Sequence, residues 1–215
     1  MSTESPVPPA KRSSPAPWII GVSVLAVIAI AASAWWFLLR PEPHEFQYGS
    51  YDPSDVAPEL QGAVDQHGEP FSFSDYRGKV VFVYFGYTHC PDACPATLDE
   101  FMEVKENLGD DAKDVAFVMI TVDPSRDSPE RMTEYLDFWD PEFYGVSMSQ
   151  EDTESVTRAW NIYFAYQDKN SQGGYLVDHE VSSFVIDKDG SKRLTYPLGA
   201  DTKTMASDAE FLLNE

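Results

Sequence analysis

The chain has 215 residues, room for one medium domain with appendages, and its 43% hydrophobic and 13% aromatic content excludes a mainly disordered polymer. Against 15 Lys and Arg stand 36 Asp and Glu, a net charge of −21 that repels phosphate backbones and argues against nucleic acid as a partner. The 2 cysteines sit four positions apart, which marks a site and not a disulfide framework.

Residues 1–17 are rich in Pro and Ser, with Lys11 and Arg12 as their basic groups. Residues 18–39 (WIIGVSVLAVIAIAASAWWFLL) then run without one charge. As a helix these 22 residues would extend about 33 Å, against a hydrocarbon core of roughly 30 Å. Trp18 at one end and Trp35 and Trp36 at the other stand where interfacial aromatics belong. The sequence therefore predicts a transmembrane anchor at 18–39. Two basic residues precede it and Arg40 follows it, which places residues 1–17 in the cytoplasm as a tail and exports the rest. The competing reading is a cleaved signal peptide, since Ala32-Ser33-Ala34 resembles a cleavage site. The apolar run continues through Leu39, which favours a retained anchor. Residues 40–58, with four prolines and several acids, read as a tether, and 59–215 as the folded domain.

Within the domain, residues 79–87 (KVVFVYFGY) form a continuous β-branched and aromatic run, as expected of a strand buried on both faces. Residues 96–108 carry Leu98, Phe101, Val104 and Leu108 at helical spacing. Residues 115–122 (VAFVMITV) read as a second buried strand, and Asp127-Ser128-Pro129-Glu130 opens a helix running to about Trp139. A short strand at 142–148, a helix at 152–162, a hairpin of 180–186 with 192–196 and a final helix at 201–213 complete the pattern. This alternation gives a mixed α/β sheet with helices on both faces, whose chemistry belongs at the carboxyl ends of central strands.

The cysteines lie there, in Phe85-Gly86-Tyr87-Thr88-His89-Cys90-Pro91-Asp92-Ala93-Cys94-Pro95. Because a proline disfavours helical geometry in the residue before it, the helix is expected to start at Pro95, with Cys94 near its N-cap and Cys90 in the preceding loop. A helix N-terminus stabilises thiolate over thiol, which serves both nucleophilic attack and metal ligation. Two thiolates suit Cu(I), and an added imidazole suits Cu(II) or Zn. The bland alternative is a pair of inert or disulfide-bonded cysteines, for which a proline-flanked loop is a poor place. Among the histidines, His44 falls in the tether, His67 in a turn, and His89 too close to Cys90 for both to converge on one ion. His179, in Val177-Asp178-His179-Glu180, is open between ligand and bystander on spacing alone. Asp123 could orient a ligand or form an ion pair at the strand–helix junction, and the polar segment 167–174 reads as a mobile loop before His179.

The segment from Tyr84 to Pro95 resembles the signature of the Sco/SenC family. So do Thr121-Val122-Asp123-Pro124-Ser125-Arg126-Asp127 and Tyr175-Leu176-Val177-Asp178-His179. The resemblance implies a thioredoxin-like fold and copper held by Cys90, Cys94 and His179. It implies a role in assembling the copper A centre of cytochrome c oxidase, with that enzyme's copper-bearing subunit as client and a copper donor and a thiol reductant as further partners. The expected location is the plasma membrane, single-pass, with the domain on the extracytoplasmic or periplasmic side. A competing class is a thiol–disulfide oxidoreductase that uses Cys90 and Cys94 as a redox dithiol on a metal-receiving client; the three-residue spacing between the cysteines departs from the usual thioredoxin pattern. A peroxiredoxin-like peroxidase would need a Thr-x-x-Cys arrangement that is not evident.

Overall fold

The computed structural model describes residues 17–38, 44–171 and 173–215. The tail expected at 1–17 lies, but for Pro17, outside the described residues, as does the start of the tether. Helix α1 (Pro17–Leu38) covers nearly the whole charge-free run. Its described side chains, at 21–22 and 25–36, are exposed. Among the described residues no helix is long and apolar enough to cross a membrane.

The compact unit that carries the chemistry is Glu45–Glu215. It therefore begins earlier than residue 59. The short strand β1 (Gly49–Ser50) pairs antiparallel with β9 (Lys192–Tyr196), and Val56 bridges Ser191. The prolines of the expected tether hid these contacts, because a two-residue strand leaves no periodic signal.

Three strands form the parallel centre: β3 (Val80–Gly86), β4 (Val115–Thr121) and β5 (Tyr144–Ser147). β3 and β4 are buried at every position, as their unbroken apolar runs require. Around them β8 (Ser183–Ile186), β9 and β1 extend one side, and β2 (Val64–Asp65) the other, in the order β1-β9-β8-β3-β4-β5-β2. The expected hairpin of 180–186 with 192–196 is β8–β9, turned at Asp187-Lys188-Asp189-Gly190, with Gly190 at φ 84°.

Four helices flank this sheet: α2 (Ala93–Leu108), α3 (Pro129–Leu136), α4 (Gln150–Trp160) and α5 (Thr202–Asn214). Phe101 of α2 packs against Phe82 and Phe117. Trp160 of α4 packs against Phe85 and Phe184. Phe82 and Phe85, being an odd number of positions apart on one strand, point to opposite faces, so helices cover both sides of the sheet. This is the thioredoxin-like arrangement that the resemblance implied.

Three local expectations need correction. Helix α2 starts at Ala93, not Pro95, with Asp92 as N-cap. Pro95 then occupies the first turn, where its missing N–H is no loss, and this outweighs its steric bias against helical geometry at Cys94. The expected helix at 152–162 is shifted to Gln150–Trp160 because the Ser149 side chain accepts from the Asp152 N–H and caps it. The expected strand at 180–186 is shorter, and the residues before it belong to a separate hairpin of β6 (Phe164–Tyr166) and β7 (Val177–His179), outside the main sheet.

Candidate metal centre

The sulfur half of the site grows directly from the core. Strand β3 ends at Gly86, where a Cβ would stand 2.9 Å from Cys94 Sγ and 2.6 Å from Tyr84 Cε1. Only a glycine lets the strand pass so close to the sulfur. The chain then turns, the Cys90 N–H donating to the Tyr87 carbonyl at 3.2 Å. The loop is pinned by Asp127, a fully buried carboxylate that accepts from the Thr88 N–H at 2.9 Å, the Thr88 hydroxyl at 2.7 Å and the Thr121 hydroxyl at 2.7 Å. Cys94, in the first turn of α2, is buried, whereas Cys90 is half-buried at the rim, and no disulfide joins them. The Cys94 sulfur accepts from the Tyr87 N–H at 3.4 Å and from the Tyr84 hydroxyl at 3.5 Å.

The imidazole half arrives from β7. His179 Nε2 lies 3.6 Å from Cys94 Sγ, and Nδ1 lies 2.7 Å from the Glu180 carbonyl. A carbonyl can only accept, so Nδ1 carries the proton and Nε2 offers its lone pair to the sulfur side. This fixes the tautomer in the manner of a ligating histidine. The rings of Tyr84 and Tyr87 stand edge-on to the imidazole, at 5.9 and 5.5 Å between centroids, and hold its plane.

Cys90, Cys94 and His179 form a group that can hold a metal ion, their ligand atoms all within 4.8 Å of one another. With metal–ligand bonds of about 2.0–2.3 Å, a three-coordinate ion asks for roughly 3.5–4 Å between donors, so the triad needs only a small contraction. Two sulfurs and one nitrogen are a soft-to-borderline set suited to copper or zinc.

The two thiols are unequal. Hydrogen bonding from the Cys94 thiol lowers Cys90 to about 3, against the cost of burial, with the N–H groups of Asp92 and Cys94 assisting. Burial pushes Cys94 up, and so does its bond to Cys90. The reduced pair is thus a rim thiolate facing a buried thiol, a poised nucleophile as well as a ligand set.

Of the other candidates, His89 Nδ1 lies 3.0 Å from the Thr88 hydroxyl and 3.6 Å from Asp127, a hydrogen-bonding role outside the triad. The backbone N–H of His67 donates to the Asp65 carboxylate within a turn, as expected. Asp123 is fully buried and pairs with Arg126, whose Nη1 donates to the Tyr175 carbonyl at 3.0 Å. Sequence reasoning missed Gly86, Asp127, Tyr84 and Tyr87. Tyr84 and Tyr87 were absorbed into a buried-strand pattern, which registers bulk and not the direction of a hydroxyl.

A thioredoxin-like sheet with a C-x3-C dithiol at the end of its central strand, faced by an imidazole, defines a class of dithiol metal-site proteins. Within that class the assignment is specific: the SCO1/SenC family profile matches residues 55–214, and the chain belongs to this family. An SCO2-like protein of Rickettsia conorii is 33% identical over 153 residues, 71% of this chain and 73% of that protein. The sco1 protein of Schizosaccharomyces pombe is 36% identical over 140 residues, 62% of this chain and 53% of its own length. Among solved structures, copper-bound ScoI of Bradyrhizobium japonicum is 32% identical with a TM-score of 0.67, covering 73% of this chain and 99% of that one. Apo Sco1 of Thermus thermophilus is 30% identical with a TM-score of 0.68, covering 80% and 99%.

Proposed function

We propose that this protein is a membrane-anchored copper-binding chaperone. In this reading it takes up copper through Cys90, Cys94 and His179 and delivers it to, or prepares, the copper A site of cytochrome c oxidase. The carrying observation is the imidazole locked in one tautomer with Nε2 turned toward two sulfurs. Copper-bound relatives of the same fold support copper over zinc as cargo. The oxidase's copper-bearing subunit is then the client, with a copper donor and a thiol reductant as upstream partners.

The anchor rests on the charge-free sequence of 18–39 and not on the length of α1, along which Leu25, Ile30, Trp35 and Trp36 are each more than 60% exposed. Apolar side chains so exposed along one helix call for an apolar surrounding, which the plasma membrane supplies. The domain would then face the extracytoplasmic or periplasmic side. Expression of the full chain and fractionation tests this directly: it should sediment with membranes and resist extraction by salt or alkali. Recovery of a soluble form trimmed near Ala34 would establish the signal-peptide reading instead.

A second reading, thiol–disulfide oxidoreductase, is favoured by the unequal dithiol. The Cys90 thiolate would attack a client disulfide, releasing one client thiol and forming a mixed disulfide, and Cys94 would then attack the Cys90 sulfur and displace the second client thiol. Two electrons pass to the client as Cys90 and Cys94 join in a disulfide. The reduced domain, loaded with copper and dialysed, separates the readings. The chaperone account expects about one tightly held copper per chain. Copper that washes away, with client thiols still generated stoichiometrically, would leave the oxidoreductase account standing.

A further inference from the structure

The β6–β7 hairpin that delivers His179 belongs to no large sheet, so its position must come from elsewhere. Several of the ties that hold it lead to the loop following β4. Tyr166 donates to the Val122 carbonyl at 2.9 Å. Arg126 Nη1 donates to the Tyr175 carbonyl at 3.0 Å, and its guanidinium carbon lies over the Tyr175 ring, 3.7 Å from the centroid. The Tyr175 hydroxyl returns to Asp123 at 2.9 Å, and Asp123 is bound to Arg126 Nε. Two side chains and a backbone carbonyl thus close a ring around one cation. The guanidinium also faces Tyr87 at 5.7 Å, the residue whose hydroxyl accepts the Val177 N–H at 3.2 Å and whose ring meets His179 edge-on.

An ordinary junction ion pair would need only Asp123 and Arg126. Here the pair reaches across to Tyr175, just ahead of the strand that bears the imidazole, and Arg126 Nη2 stays buried without a hydrogen-bond partner. Leaving a guanidinium donor unmade is costly, and it is tolerated where geometry elsewhere dictates the cation's place.

We propose that Asp123, Arg126 and Tyr175 are positioning residues that clasp the His179 hairpin to the sulfur half of the site, and so set how strongly the imidazole takes part in copper binding. The consequence for copper rests on the chaperone reading above; the clasp itself does not. Opening it leaves both sulfurs in place, since they are fixed by β3, α2 and Asp127, but lets the imidazole drift. Cu(II), which gains from the nitrogen, should suffer more than Cu(I).

The test uses the reduced protein, first without metal. In Tyr175→Leu, which leaves the Asp123–Arg126 pair intact, amide exchange at Val177 and Gln167 should quicken about tenfold or more. The His179 ring resonances should move toward those of a free imidazole. With copper, Cu(II) affinity should fall about 10–100-fold, the range for lost outer partners, and Cu(I) affinity distinctly less. Tyr175→Phe, which keeps the stacking and loses the hydroxyl, should fall between parent and Tyr175→Leu. Arg126→Ala should exceed both, and if it fails to fold the two Tyr175 variants decide. Unchanged exchange and ring resonances in a folded Tyr175→Leu protein would overturn the clasp. If those metal-free signals change while the parent binds no copper, the clasp stands and the chaperone reading falls.

Discussion

The two halves of the metal centre are built on different principles. The cysteines ride on backbone: a fully buried strand, a turn and the first helical turn, all within residues 80–94 and all continuous with the core. The histidine rides on a two-stranded hairpin outside the main sheet, tied to the loop after β4 through Arg126, Asp123 and the Val122 carbonyl. Core strands share in the global stability of the domain, whereas a small hairpin tied by side chains can open locally at lower cost. A site with one rigid half and one adjustable half can hold copper on two sulfurs and engage or release the nitrogen as the metal's oxidation state and partner demand.

That contrast can be broken most severely on the rigid side. Replacing either cysteine, Cys90→Ser or Cys94→Ser, should weaken Cu(I) binding by more than the roughly 100-fold that loss of an outer partner costs. Competition with a chromogenic Cu(I) chelator measures this, and unchanged affinity in either variant would remove that sulfur from the ligand set. On the adjustable side, His179→Ala should lower Cu(II) affinity by at least about 10-fold and abolish the parent's thiolate-to-Cu(II) charge-transfer band. Much of the Cu(I) affinity should remain, as should the rate at which a small dithiol reduces the Cys90–Cys94 disulfide. Equal losses for both oxidation states would mean that the halves are not separable.

A smaller effect probes how the rigid half is packed. Gly86→Ala places a methyl 2.6 Å from the Tyr84 ring, 2.9 Å from Cys94 Sγ and 3.2 Å from Met119 Cε. The overpacking should cost about 1–3 kcal/mol in a denaturant titration and displace the Cys94 sulfur, lowering Cu(I) affinity with it. A variant as stable and as tight as the parent would show that this close approach is not needed.

The last effect is a pH profile that should scarcely change. A thiol near its ordinary value of 9 alkylates roughly tenfold faster per unit as pH rises from 5 to 8. Cys90, lowered to about 3, is already thiolate across that window, so its alkylation in the metal-free reduced protein should be nearly flat. Cys94, pushed up and buried, should react far more slowly throughout. A Cys90 rate that climbs steadily from pH 5 to 8 would contradict the assigned asymmetry.

The same division explains what the sequence made legible. The runs at 79–87 and 115–122 announced the central strands, because burial on both faces demands uninterrupted apolar residues, and β3 and β4 fall within them. The cysteines followed at the carboxyl end of the first. The His179 hairpin was invisible, because strands of three residues each carry no period and one begins only a few residues after the end of α4. His179 itself was selected by resemblance and not by pattern. In sequence Asp123 could orient a ligand or pair locally, and nothing in a motif shows that the Arg126 guanidinium reaches Tyr175, 49 positions later. Asp127 and Ser128 could each cap the helix by sequence; Ser128 does, while Asp127 turns inward to hold Thr88.

The most direct test of the central claim is X-ray absorption of the Cu(II)-loaded domain, compared between parent and His179→Ala. The account predicts one copper per chain with two sulfurs and one imidazole nitrogen in the parent, and loss of the nitrogen alone in the variant. An unchanged nitrogen signal in His179→Ala, or a parent spectrum with fewer than two sulfurs, would contradict it.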